Sequence, residues 1–486
     1  VLGETEAETR LQSMLARLDS PDCECLSVKI SAIFSQIHLI ARAETLEKLK
    51  LRLRQLFRAA MAHSPPKFIY LDMEEYGDLA LTRDVFTETL DEPEFLKHEA
   101  GIALQAYLPE AWPVQKQLIA WAKNRVSHGG AGIKIRLVKG ANLAMEKVDA
   151  ELHGWPQAPY PTKEEVDANY KRMLHEGCRP ENAKFVRLGV ASHNLFDLAY
   201  AQLLRTREGV ENRVEFEMLE GMANHQARVV NEAAGGLLLY APVVNRGDFH
   251  NAIAYLVRRL DENTVPENFL HDLFGMTPGD AAWEAQRQRF LRACSLRDRV
   301  SADPRRTQNR ATESIKLLPP DAPFRNEPDT DWALPHNVAW IREKVAAMRA
   351  VPMAEVPAAG EAEVESALQT VANAQAAWRA LGFTGRATLL RQVAAGLARH
   401  RGGLIATMVS DAGKAVGEAD SEVSEAIDFA NFYARGFADP AFFDGSNFEP
   451  LGTVAVVPPW NRIAPFLVPM LPELGYRGLS TFTPRG

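Results

Sequence analysis

The sequence predicts an α/β fold built on a (β/α)8 barrel, followed by a linker and a mostly helical segment. Seven short β-rich runs separated by helical stretches fill residues 27–260, and strands alternating with helices mean βαβ units and a parallel sheet. No glycine-rich phosphate turn follows the first run, which favours a barrel over a doubly wound sheet. A change to Pro-rich, polar sequence near residue 301 marks the end of that pattern.

The runs, in order, are "SVKISAI" (27–33), "FIYLDM" (68–73), "GIALQAY" (101–107) and "GIKIRLV" (132–138). "KFVRLGV" (184–190), "VEFEML" (214–219) and "LLLYAPV" (237–243) follow. Helical stretches such as "AETLEKLKLRLRQLFRAAM" and "FDLAYAQLLR" lie between them. One strand is short of eight, and the missing one is expected before residue 1. Residues 301–340 read as a linker, and 341–486 form a second module, helical and Ala-rich up to about 434. Within it "FEPLGTVAVVPPWN" (448–461) reads as a strand entering a Pro-rich turn, whereas the tail "RGLSTFTPRG" shows no periodicity.

Composition narrows the function. At 486 residues the chain is too long for one ordinary core, and its 46 % apolar and 24 % charged residues are those of a soluble globular protein. A net charge of −8 argues against a general nucleic-acid binder. No apolar run approaches the ~20 residues needed to span a bilayer, and the start, "VLGETEAETR", lacks the basic and apolar parts of a signal peptide. Cys23, Cys25, Cys178 and Cys294 are few and irregularly placed, so reduced thiols in a cytoplasmic setting are expected, with no metal site.

Polar side chains inside strands carry the chemistry. Lys29, Asp72, Gln105, Arg136, Lys139, His193, Glu217 and Tyr240 fall within or just past the C-terminal halves of successive strands, the end where barrel enzymes assemble their sites. In "IKIRLVKG", Lys134 and Arg136 alternate with apolar residues and so point to one side of the sheet. Each residue alone reads as a strand-end ion pair. Together, cations with few acids suggest an anionic ligand: a phosphate-bearing cofactor, a carboxylate, or both. Gly140 after Lys139 permits close approach of a backbone to a ligand, and His193-Asn194 either holds a ligand or caps the next helix. The pair Arg258-Arg259 in "YLVRRLDEN" (255–263) reads as a solvated charge run or an anion clamp.

"SVKIS", "IRLVKGAN", "TKEEVDANYKRML", "ASHN", "EFEMLEGM", "YAPV" and "YLVRRLDEN", in this order, resemble the proline dehydrogenase family over residues 1–300. More specifically, they are similar to the proline dehydrogenase domain of the bifunctional flavoenzyme proline utilization A. The resemblance implies a distorted barrel that binds FAD non-covalently, with its last helix over the barrel mouth. It implies that Lys29, Arg258 and Arg259 clamp the carboxylate of L-proline, while Asp72, Leu219, Tyr240 and Tyr255 shape the pocket. On the flavin side it places Gln105, Arg136, Val138, Lys139, Gly140, Ala141, Ser192, His193, Asn194 and Glu262, together with Thr162, Lys163, Asn268 and Phe269. Asn142-Leu143 stands where many members carry an aromatic pair.

After the linker, "AWRALGFTGRATLLRQVAAGLARHRGG" and "PLGTVAVVPPWN" are similar to the N-terminal part of an aldehyde dehydrogenase. In the full-length family that module uses NAD. Here no cysteine follows Cys294, so aldehyde oxidation and NAD binding are not expected. The function expected is FAD-dependent oxidation of L-proline to 1-pyrroline-5-carboxylate, the first step of proline catabolism to glutamate. Electrons would pass to a membrane quinone, which implies peripheral contact with the inner membrane. The alternatives are a barrel lyase using Lys29 as a Schiff-base amine and a non-catalytic scaffold with degenerate modules.

Overall fold

The structure, a computed structural model, describes residues 3–244, 247, 249–250, 252–253, 255, 257, 264, 268–273, 275–350, 358–438 and 453. Arg258, Arg259 and Glu262, the expected strand at 448–461 except residue 453, and the tail lie outside the described residues. The chain divides into two compact units: residues 1–150 with 156–306, and residues 151–155 with 307–486.

The first unit is organised by seven strands: β1 (Cys25–Val28), β2 (Phe68–Leu71), β3 (Gly101–Gln105), β4 (Ile133–Val138), β5 (Val186–Ala191), β6 (Val214–Leu219) and β7 (Leu238–Tyr240). They form one sheet in sequence order, and every neighbouring pair is parallel. A doubly wound sheet would reverse its strand order at a switch point; this one does not. The sheet also curls. Tyr70 on β2 hydrogen-bonds Glu217 on β6, and Arg136 on β4 hydrogen-bonds Ser27 on β1, contacts that a flat sheet forbids between strands so far apart. Ile102, Leu104, Ile133, Ile135, Leu137, Leu188, Val190 and Phe216 are buried, as expected of parallel strands covered on both faces.

The first strand departs from expectation. "SVKISAI" is not one extended run: β1 ends at Val28, and Ile30–Ile33 is a turn of helix with Lys29 as its N-cap residue. The β-branched content of that run favours a strand, but tertiary context overrides it. Helices follow the strands where their caps allow. Thr162 opens the helix Lys163–Cys178 with a full capping box to Glu165, and Asn194 opens Leu195–Glu208 by accepting from the backbone N–H groups of Phe196 (2.9 Å) and Asp197 (3.3 Å).

In the second unit the helices Pro335–Arg349, Gly382–Asp411 and Val416–Ala438 share a core of Ile341, Ile405, Val423 and Ile427. Arg401 is buried there, bonded to Asp420 (2.8 Å), Ser424 (3.0 Å) and Glu327 (2.9 Å). Residues 307–334 carry no helix or strand, yet they are packed: Thr330 and Asp331 are buried, and Thr330 donates to Asp420 through both its N–H (2.6 Å) and its hydroxyl (2.7 Å). The helix after them starts at Pro335, inside the stretch expected to be linker. Gly402 allows a close helix approach, because a Cβ there would lie 2.6 Å from the Trp340 ring. Gly402→Ala should therefore destabilise this unit by ~1–3 kcal/mol through overpacking, read as a lower urea midpoint at unchanged slope.

Candidate active site

Polar groups converge at the C-terminal ends of the strands. Arg136 on β4 is their centre. Its Nε donates to Glu217 Oε2 (2.7 Å) and its Nη1 to Ser27 Oγ (3.1 Å), with Asp72 Oδ1 3.6 Å from Nη1. Its Cζ stands over two rings, 3.9 Å from the Tyr70 centroid and 3.8 Å from that of Tyr240. Both are cation–π distances, worth most where water is excluded. Glu217, with 0 % of its side chain exposed, also accepts from Tyr70 Oη (2.7 Å) and pairs with Lys134 Nζ (2.9 Å). Burial pushes the Asp72 carboxyl up, against the pull of Arg136 and Lys29.

A second cluster surrounds Lys139. Its ammonium sits 2.6 Å from Asp167 and 2.6 Å from Asp197, while Lys171 pairs with Asp197 (2.8 Å) and Lys163 lies 3.6 Å from Asp167. Burial works against the charge of Lys139, but the two carboxylates outweigh it and hold its pKa up. Burial likewise opposes ionisation of Asp167, and Lys139, Lys163 and Lys171 override it and keep the carboxyl low.

The other expected residues are spread around these clusters. Lys29 pairs with Glu74 (2.7 Å), which also accepts from Ser31. Gln105 donates to Glu74 O (3.1 Å), and its Oε1 is buried. Gly140 turns at φ +120° with the Tyr107 ring 2.5 Å from where a Cβ would stand, a position closed to other residues. Val138 and Leu219 are half-buried and Ala141 is exposed. His193 Nε2 accepts from the Leu219 N–H (3.2 Å), and burial pushes this imidazole down to about 4, so at neutral pH Nδ1 carries the proton. Ser192 Oγ accepts from the Asn194 N–H (3.0 Å). Asn194 therefore acts as a helix cap, and Thr162 does the same one helix earlier. Asn268 Oδ1 accepts from the Leu270 N–H (3.1 Å), and Phe269 is buried against Phe196. Tyr255 is half-buried on a helical segment.

The expectation of many cations and few acids is overturned. Lys29, Lys134, Arg136 and Lys139 each have a carboxylate partner, and Glu74, Asp167, Asp197 and Glu215 supply most of them. What remains are individual polar atoms. Gln105 Oε1, Arg136 Nη2, His193 Nδ1 and Tyr240 Oη are buried with no hydrogen-bond partner among the described residues. Buried polar groups left unpaired are costly, and these four stand near or just beyond the C-terminal ends of β3, β4, β5 and β7. Among the described residues no cluster could hold a metal ion.

The proline dehydrogenase pattern matches residues 1–272, more than half of the chain. The chain belongs to the proline dehydrogenase family. The aldehyde dehydrogenase family matches residues 341–472, so a segment similar to that family follows the proline dehydrogenase unit. Bifunctional protein PutA of Klebsiella aerogenes is 28 % identical over 480 residues, covering 90 % of this chain and 35 % of the relative. The solved structure of proline utilization A from Corynebacterium freiburgense matches with a TM-score of 0.76 at 41 % identity, covering 92 % of this chain and 42 % of that one. That of Bdellovibrio bacteriovorus, inactivated by N-propargylglycine, matches with a TM-score of 0.76 at 30 % identity, covering 90 % and 48 %. This proline dehydrogenase family member thus spans about a third of the length of the curated relatives it matches.

Proposed function

We propose that the first unit oxidises L-proline to 1-pyrroline-5-carboxylate with FAD as cofactor, and that the electrons leave to a membrane quinone. The reading is supported chiefly by the four buried, partnerless polar atoms at the strand ends of a proline dehydrogenase family member. They fit an isoalloxazine, whose edge offers both acceptors and an N–H donor: Arg136 Nη2 and His193 Nδ1 would donate, and Gln105 Oε1 would accept. Lys139, Gly140 and Asn194 would line the same cofactor, Gly140 by leaving room for close approach. Bound there, FAD supplies the hydride acceptor.

The protein's own work is orientation and exclusion of water. Lys29 holds the substrate carboxylate, joined by Arg258 and Arg259, which lie outside the described residues. For Lys29 to do so, the incoming carboxylate must share or displace Glu74, its present partner at 2.7 Å. Tyr240, Leu219, Asp72 and Tyr255 shape the ring pocket, so that the carbon beside nitrogen faces the acceptor. Lys29 is not set in the apolar pocket that activates a Schiff-base lysine, and the lyase reading gains nothing from the geometry.

The test is an absorbance spectrum of the protein reconstituted with FAD. Bleaching of the flavin bands by anaerobic L-proline is expected, and a yellow protein inert to proline would refute the substrate. Lys29→Met should keep the colour and raise the Michaelis constant for proline by roughly 10–100-fold, the worth of one charge-assisted bond. An unchanged constant would remove Lys29 from the clamp.

A further inference from the structure

Arg136 has five N–H donors, and the structure uses them unevenly. Nε is fixed by Glu217, Nη1 by Ser27 with Asp72 behind it, and the Tyr70 and Tyr240 rings crowd its Cζ at 3.9 and 3.8 Å. Only Nη2 is left without a partner among the described residues. A guanidinium on a flexible stem does not hold such a pose unaided, because its rotamer freedom opposes it. The residue that removes this freedom is Glu217. It is fully buried and, standing on β6, grips three groups from two other strands: Tyr70 on β2, and Lys134 and Arg136 on β4.

The room for that carboxylate comes from Gly189. This residue lies opposite Arg136 in the β4–β5 register, on the strand next to β6. A Cβ at position 189 would stand 2.1 Å from Glu217 Oε1 and 2.7 Å from Cδ. The backbone of Gly189 is thus the wall against which Glu217 rests, and any other residue there displaces the carboxylate.

We propose that Glu217 and Gly189 are a positioning pair: Gly189 opens the slot, Glu217 fills it, and together they aim the Nη2 edge of Arg136 at the bound cofactor. Neither touches the reacting atoms. The proposal deepens the flavin reading and rests on it for the identity of the ligand.

The test compares Glu217→Gln in the native and in the Arg136→Lys background. Glutamine keeps the shape and removes the charge. Lysine keeps a charge at 136 but lacks Nε. FAD affinity of the apoprotein, read by quenching of flavin fluorescence, should fall about tenfold with Glu217→Gln in the native background and less than about twofold beside Arg136→Lys, as expected of coupled neighbours. Equal losses in both backgrounds would overturn the assignment, since a merely structural role for Glu217 does not depend on what stands at 136. Gly189→Ala should reproduce the Glu217→Gln loss and add little to it. An alanine that leaves affinity unchanged refutes the slot. Should the native protein take up no FAD, the cofactor reading falls, and the same cycle read by urea unfolding of the apoprotein decides the rest. Coupling of less than about twofold in the unfolding constant would then overturn the positioning pair as well.

Discussion

Arg136→Met is expected to lose bound flavin and to unfold ~3–5 kcal/mol more easily than the native protein, the usual cost of breaking a buried ion pair from one side. Methionine fills much of the space between the Tyr70 and Tyr240 rings, so the loss is not a cavity effect. It is electrostatic. Glu217 keeps Tyr70 Oη and Lys134 Nζ as partners but loses the Nε donor, and Asp72, already disfavoured as an anion by burial, loses the cation 3.6 Å away. Arg136→Lys should recover part of the stability, since an ammonium restores charge, but should bind flavin more weakly than the native protein, because a point charge cannot serve Glu217, Ser27 and a ligand from one plane. Urea midpoints and the flavin-to-protein ratio after gel filtration check both statements. Equal flavin retention in all three proteins would show that Arg136 is a structural ion pair and nothing more.

The architecture was legible in the sequence because each parallel strand is an apolar run bounded by turn or cap residues. Six of the seven runs were placed on the right elements. The seventh, "SVKISAI", misled because Ile30 and Ile33 are β-formers used on the buried face of a single helical turn, and nothing local reports that turn. The cations of the site were equally legible, since Arg136 and Lys134 interrupt an otherwise apolar strand. Asp72 and Glu217, which pair with Arg136, stood out with them, but the partners of Lys139 did not. Asp167 and Asp197 occupy helical positions that look like ordinary solvated acids, and only the way those helices pack on the sheet turns them toward Lys139. Gly189 did carry a signal: a lone glycine inside the apolar run "FVRLGVA" marks a close approach of another group. Its partner, Glu217, could not have been chosen without the register. The same blindness explains residues 307–334, whose polar composition reads as linker because Arg310 and Thr330 are satisfied by each other and by Glu313 and Asp420, and Asp331 by Gln308 and Asn337, pairings that local sequence does not report.

Lys139→Met should give a comparable loss of stability, about 3–5 kcal/mol at pH 7, with a pH dependence that identifies its origin. In the native protein Lys139, with Lys163 and Lys171, holds Asp167 and Asp197 below the ordinary carboxylate range despite their burial. A depressed folded-state pKa contributes stability that is fully present above the unfolded value, ~4, and is lost as pH falls through the folded value. Native stability from this cluster is therefore flat between pH 7 and about 5 and declines only in strong acid. Without Lys139 the balance at Asp167 reverses, because its remaining cations are Lys163, 3.6 Å away, and Lys171, which pairs with Asp197, and burial then dominates. Its folded pKa rises above the unfolded one, so the folded variant takes up a proton first, and its stability increases as pH falls through that raised value. The gap between native and variant should accordingly be widest near pH 7 and narrow steadily toward pH 4. Asp167→Asn in the Lys139→Met background should close most of the gap at pH 7, since it removes the unpaired charge while keeping the shape. Urea unfolding followed by circular dichroism across this range is the measurement. A gap that stays constant with pH would mean that Lys139 stabilises the strand end by packing its methylenes rather than by neutralising the two aspartates.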